Sequence, residues 1–234
     1  MITLTSLHGD VPCFTGKLTK RLSAIVSAVP SCTVFADVGC DHGYIGISVL
    51  EQAVAKQVVF CDISAPSLAK AKANCPKHLL AKAKFVCGDG LPDQACDCAC
   101  IAGMGGLETI GILSRAEHIP DKLVLQPMRN VVDVRVWLVS NGYGILTDVM
   151  FEAQGKYYDL IVAARGQDGL HTPDELQLAF GKDNIAAAGS DFVEFLHKKM
   201  HTYQEILNNC ADKKVAEQLQ LVNKALEYIT EVQV

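Results

Sequence analysis

Five apolar, strand-like runs separated by helix-like segments, then two more strands, predict an α/β fold. Three observations carry this: the strand–helix alternation from about residue 33 to 165, a hairpin at its end, and two amphipathic stripes in the last 45 residues or so. The expected architecture is a mostly parallel seven-stranded sheet with helices on both faces, plus a C-terminal helical hairpin resembling a coiled coil.

The elements follow in order. Val34–Val38 reads as the first strand, and Ile45–Ala55 as the helix after its glycine turn. Val58–Cys61 is the second strand; Ser64 is placed to cap the next helix, with Pro66 in its first turn and Ser67–Asn74 as its body. Lys84–Cys87 forms the third strand, Asp97–Ala102 the fourth, Leu107–Arg115 a helix and Lys122–Gln126 the fifth strand, stopped by Pro127. Asn130–Asn141 continues as helix, with Gly142 at its C-terminus. Gly144–Phe151 and Tyr157–Ala164 make a hairpin around a loop from Glu152 to Lys156. Gly166–Gly169 and Pro173 read as a linker, which divides the chain into domains 1–168 and 169–234. Beyond it, Phe192, Phe195, Leu196, Met200, Tyr203, Ile206, Leu207 and Cys210 recur at threes and fours. A second stripe runs Val215, Leu219, Val222, Leu226, Ile229.

Composition narrows the function classes. A chain of 234 residues that is 50% hydrophobic can bury a core, which excludes a disordered tail. No apolar run reaches the roughly 18 residues that span a bilayer, and Met1–Lys20 lacks the apolar core of a secretory signal, so a cytoplasmic protein is expected. The ten cysteines are spread along the chain. Cys96, Cys98 and Cys100 alternate on one strand face, unlike zinc ligands in C-x2-C pairs, so they read as small buried side chains and no metal is expected. A net charge of −5 argues against a broad nucleic-acid-binding coat but leaves room for a local basic patch.

Ligands of open parallel sheets sit at the carboxyl ends of the strands. The first strand ends Asp37-Val38-Gly39-Cys40-Asp41-His42-Gly43. In the dinucleotide fingerprint the position of Asp41 would be glycine, and a carboxylate there repels a pyrophosphate. A cationic cofactor without phosphate suits it, namely S-adenosyl-L-methionine, with its sulfonium and ammonium. Asp62 at the end of the second strand is placed to accept ribose hydroxyls, and Asp89 in Gly88-Asp89-Gly90-Leu91 to reach the adenine.

These segments, with Ile101-Ala102-Gly103-Met104-Gly105-Gly106, closely resemble the bacterial tRNA (adenine(22)-N1)-methyltransferases, which are class I S-adenosylmethionine-dependent enzymes of Rossmann-like fold. The resemblance extends through Leu18-Thr19-Lys20-Arg21-Leu22, Leu125-Gln126-Pro127, Arg135-x-Trp137-Leu138 and Gly155-Lys156-x-Tyr158. The chain departs from the family at Met128, where Asn is usual, and at Asp62, where Glu is common. The resemblance implies methylation of adenine N1 in the tRNA D-arm. Cofactor contacts are then expected from Asp37, Gly39, Cys40, His42, Asp62, Ile63, Asp89, Gly90, Ala102, Gly103, Met104 and Gly105. The base must be presented out of its stack. Tyr44 is placed to stack on it, Asp41 to accept from its exocyclic amine, and Gln126 and Arg21 to touch the base or a phosphate.

Other readings stay open at this point. Asp41 equally suits a helix cap, Tyr44 core packing, and His42 a loop histidine tied to a backbone carbonyl. Lys17, Lys20 and Arg21, with Lys198, Lys199, Lys213 and Lys214 on the hairpin, suggest that the hairpin grips tRNA, with dimerisation as the alternative. The acceptor could instead be a small molecule or a protein, or the domain a non-catalytic cofactor-binding scaffold.

Overall fold

The computed structural model describes residues 18–166 and 173–232. The elements are α1 (Lys20–Ala28), β1 (Cys32–Val38), α2 (Tyr44–Glu51), β2 (Ala55–Asp62), α3 (Ala65–Asn74), β3 (Ala83–Cys87), β4 (Cys98–Ala102) and α4 (Gly106–Arg115). They continue as β5 (Lys122–Gln126), α5 (Val131–Ser140), β6 (Tyr143–Ala153), β7 (Lys156–Arg165), α6 (Glu175–Phe180), α7 (Lys182–Ala187), α8 (Ser190–Asn209) and α9 (Lys213–Val232). A 3-10 helix, Lys77–Lys82, precedes β3. The sheet has seven strands in the order β3-β2-β1-β4-β5-β7-β6. Strands β1 to β5 pair in parallel, and β7 pairs antiparallel with β5. Two compact units result. One holds the chain to Thr147 and the strand segment from Leu160 on; the other holds Asp148–Asp159 and α6 to α9.

The sheet core explains why its strands read as unbroken apolar runs. Ala36, Val38, Ala99, Ile101, Leu123 and Leu125 are buried in one cluster with Ile112, Leu113, Val134 and Leu138 of α4 and α5, as expected of strands covered by helices. Cys98 and Cys100 are fully buried in β4. Burial pushes the Cys100 thiol far above its ordinary value and that of Cys61 to about 12, which keeps both protonated and inert.

Several boundaries differ from the sequence expectation. α1 carries only nine residues, begins two residues into the described segment and is capped by Thr19; nothing in its short run distinguished it from a loop. α2 ends at Glu51 and not at Ala55, because Ala53 turns into the left-handed region (φ 53°) and β2 starts at Ala55. The hairpin loop shrinks to Gln154-Gly155, both at positive φ (54° and 74°), which matches the right-handed twist of the flanking strands. The expected domain boundary at 168/169 lies outside the described residues, as does most of the expected linker. α6 and α7, six residues each, had no periodicity to reveal them.

In the second unit, Met150, Leu176, Ile185, Phe192, Leu196, Val222, Ala225 and Ile229 form their own cluster. The two amphipathic stripes are α8 and α9, joined through Asp212, whose Oδ1 accepts from the backbone N–H of Lys214 and Val215 (2.9 and 3.1 Å).

Candidate functional site

The carboxyl ends of β1, β2 and β4 and the loop after β3 enclose a cavity of about 520 Å3, within the size range of small-molecule and cofactor sites. Its wall includes Asp37, Gly39, Cys40, Asp41, His42, Tyr44, Asp62, Ile63, Asp89, Gly90, Ala102, Gly103, Met104 and Arg21. Of the expected site residues only Gln126 and Gly105 are not part of the wall. Gln126 is fully buried at the end of β5, and Gly105 is the N-cap of α4.

The loop after β1 is built by backbone bonds across to β2: Gly39 and Cys40 both donate to the Cys61 carbonyl (2.8 and 3.0 Å). Gly39 sits at φ 68°, and a Cβ there would lie 2.1 Å from the Met104 methyl, so the Met104 thioether rests directly on the glycine. Asp37 is 3% exposed and accepts from the Gly46 N–H (2.9 Å). Burial raises its carboxyl to about 7, outweighing the lowering by the Gly46 bond; the nearby Asp62 charge adds to the rise.

Asp62 is held at both oxygens. Oδ2 accepts from the Asp41 N–H (3.0 Å) and Oδ1 from the Ser64 N–H (2.8 Å). A carboxylate offers about four acceptor positions, so lone pairs remain for a ligand's hydroxyls in a preset orientation. Asp89 projects from the loop after β3, where Arg115 Nη2 donates to both of its oxygens (3.1 Å each). Ile63 exposes 73% of its surface beside these acids, an apolar face suited to a flat ring.

Asp41 is in the left-handed region (φ 44°) and does not cap α2, whose N-cap is Gly43 without a side-chain cap bond. Its Oδ2 lies 2.6 Å from His42 Nδ1, so His42 is tied to a carboxylate and not to a carbonyl; the His42 carbonyl instead accepts from Asn74 Nδ2 (3.0 Å). The His42 and Tyr44 rings stack at 5.5 Å, and Tyr44 remains 36% exposed at the cavity. Tyr44 is therefore not a core residue.

Glu108 and Ile112 of α4 and Leu22 of α1 also line the wall, and sequence reasoning missed them. Glu108 had one signal: an acid in the first turn of the helix after the glycine run. That run has a packing reason. Gly106 donates to the Arg129 carbonyl (2.8 Å), and a Cβ on it would lie 2.4 Å from the Asn130 carbonyl oxygen. Met128 donates to the Met104 carbonyl (2.8 Å) and Gly103 to that of Gln126 (3.0 Å), which laces the loops after β4 and β5 together.

The donor set suits a cation-bearing, phosphate-free cofactor. Five carboxylates, those of Asp37, Asp41, Asp62, Asp89 and Glu108, line the wall against the one guanidinium of Arg21. Among the described residues no group of His, Cys, Asp and Glu is arranged to hold a metal. The coupling of Asp37 to a bound cation predicts a pH signature. A folded carboxyl near 7, above the ordinary 3.8, destabilises the ligand-free fold progressively as pH rises from about 4 to 7. Cofactor binding favours the ionised form and should tighten across pH 6 to 8. Asp37→Asn should therefore raise the melting temperature of the free protein more at pH 8 than at pH 5, and flatten the pH dependence of cofactor affinity. Equal melting shifts at both pH values would count against this titration.

Comparisons with known proteins agree with this geometry. The methyltransferase-domain family matches residues 18–161. A Mycoplasma pneumoniae protein provisionally named a tRNA methyltransferase is 31% identical over 70% of this chain and 79% of its own length. The tRNA (adenine(22)-N(1))-methyltransferase of Bacillus subtilis is 27% identical over 91% of this chain and 98% of its own. The structure of M. capricolum TrmK in complex with S-adenosyl-homocysteine superposes with a TM-score of 0.84, covering 92% of this chain and 100% of that one; at 22% identity it speaks for the fold. With the strand-end acids gathered around one cavity of this fold, the chain belongs to the methyltransferase-domain family and, within it, to the tRNA (adenine(22)-N1)-methyltransferases.

Proposed function

We propose that this protein methylates N1 of an adenine in the tRNA D-arm, adenine 22, using S-adenosyl-L-methionine, and that it acts in the cytoplasm. The observation that carries the reading is one cavity lined by Asp37, Asp41 and Asp62, with the part-exposed ring of Tyr44 on its wall, in a chain of this family. When bound, the cofactor supplies a methyl group on a sulfonium whose leaving group is neutral, so positioning of the nucleophile dominates the barrier. Asp62, oriented by two backbone N–H groups, accepts from the ribose hydroxyls. Ile63 and Asp89 face the adenine of the cofactor, with Arg115 giving up its hold on Asp89. Tyr44 stacks on the target base once it leaves the helix, and Asp41 accepts from its exocyclic amine and offsets the charge that methylation places on the ring.

The test is nucleoside analysis of tRNA incubated with the protein and labelled cofactor. Label in 1-methyladenosine is expected. Label in a protein or small molecule, or none at all, would favour another acceptor or a binding scaffold.

The C-terminal helices are proposed to grip the tRNA. Lys199 lies over the rings of Phe195 and Tyr203 (5.6 Å each), a cation held at the surface beside aromatic faces. Lys214 makes no ion pair among the described residues, whereas Lys198 pairs with Glu194 (2.7 Å) and Lys213 approaches Glu217 (3.8 Å). The expected contribution of Lys17 lies outside the described residues. Lys199→Glu with Lys214→Glu should raise KM for tRNA about tenfold or more and leave cofactor binding alone. No helix among the described residues is long and apolar enough to cross a membrane.

A further inference from the structure

The amide of Gln126 is spent inside the protein. Its Oε1 accepts from Arg21 Nη1 at 2.6 Å, and its Nε2 donates to the Pro127 carbonyl (3.3 Å) and to the Met128 thioether sulfur (3.4 Å). Gln126 is 0% exposed. Arg21 and Met128, the side chains at the two ends of this chain of contacts, are the ones that reach outward. Arg21 lines the cavity, with Nη1 3.4 Å from where a Cβ on Gly103 would sit. Met128 is 50% exposed, on the loop that is bonded to Met104.

Resting on the methyltransferase reading above, we infer that Gln126 is a positioning residue, and that the groups presented to the target nucleotide are the Arg21 guanidinium and the Met128 thioether. Three physical reasons support the assignment. A buried amide whose oxygen and nitrogen both have protein partners gains nothing by turning to substrate, because it would leave Arg21 and the Pro127 carbonyl short of a partner. A guanidinium held by a neutral acceptor keeps its full charge, so Arg21 stays able to bind a phosphate or the acceptor edge of a base. An exposed thioether is polarizable and packs favourably on aromatic faces, which suits contact with a base extruded from its stack. α1, where Arg21 sits, is 105 residues away in sequence, so the Gln126 bond ties this helix to the end of β5.

The test uses the full chain with tRNA and measures kcat and KM separately for Arg21→Ala, Gln126→Leu, their double variant and Gln126→Glu. Arg21→Ala and Gln126→Leu should each lose about 10- to 100-fold in kcat/KM for tRNA, chiefly in KM. The double variant should be no worse than the poorer single one, and Gln126→Glu should recover most of the loss because its carboxylate still accepts from Arg21. Calorimetry should show unchanged cofactor binding in Gln126→Leu, with thermal melts checking the fold. Losses that multiply in the double variant, or a Gln126→Glu as poor as Gln126→Leu, would place Gln126 itself on the base and overturn the inference. A second readout is independent of any acceptor. The Arg21 side-chain N–H resonances should be slow to exchange in wild type and Gln126→Glu, and fast in Gln126→Leu. If the resonances follow this pattern but wild type leaves tRNA unmethylated, the functional reading fails while the Gln126–Arg21 tie stands; fast exchange in wild type overturns the tie.

Discussion

Asp62→Ala is expected to weaken S-adenosyl-L-methionine binding by about 1 to 3 kcal/mol, or roughly 5- to 150-fold, the cost of hydroxyls left without their acceptor. The structure adds a reason to expect the upper part of that range. Asp62 also accepts from the Asp41 and Ser64 backbone N–H groups, so its loss frees the loop after β1 as well as the ligand's ribose. Asp62→Glu separates the two effects. The longer acid keeps the chemistry but shifts the carboxylate by one methylene, so it should bind cofactor more tightly than Asp62→Ala and less tightly than wild type. Isothermal calorimetry decides it, and a dissociation constant unchanged in Asp62→Ala would remove Asp62 from the ribose.

Tyr44→Ala and Asp41→Asn carry the largest expected losses in the methyl-transfer step itself. A lost stacking platform costs about 1 to 3 kcal/mol per base. The Asn variant keeps the loop shape but cannot balance the charge that develops on the ring. Asp41, His42 and Tyr44 form a contiguous set, through the 2.6 Å Asp41–His42 contact and the stacked His42 and Tyr44 rings. Their effects should therefore be less than additive: the Asp41→Asn, Tyr44→Ala double variant should lose less than the product of the two single losses. Single-turnover methylation at saturating cofactor is the measurement. Both single variants reacting at the wild-type rate would confine Asp41 and Tyr44 to shaping the loop.

The sequence by itself determined the sheet and the acids at its strand ends. Strands such as Val58–Cys61 and Leu123–Leu125 are covered on both faces, so they must be apolar throughout, and this is visible without coordinates. Asp37, Asp62 and Asp89 follow strands closely enough that a parallel sheet alone brings them to one edge. The stripes of α8 and α9 were equally plain, because helices that bury one face repeat at threes and fours.

Only the tertiary structure decided the roles that depend on contacts across long sequence separations. Arg21 and Gln126 meet although 105 residues apart, and the amide that looked free to touch substrate is consumed by that contact. Arg115 reaches Asp89 from the last residue of α4, a pairing of two exposed charges that no local pattern encodes. The glycines after β4 read as a ligand loop, yet Gly106 is required by the carbonyl of Asn130 on a neighbouring loop. α6 and α7 are too short to show a period. They hold their place through packing, with Leu176 and Ile185 buried in the second core, and through the Asn184 side chain, which accepts from the Met150 N–H (2.7 Å). Propensity and periodicity act over neighbouring residues, whereas a bond between distant side chains exists only once the fold has brought them together.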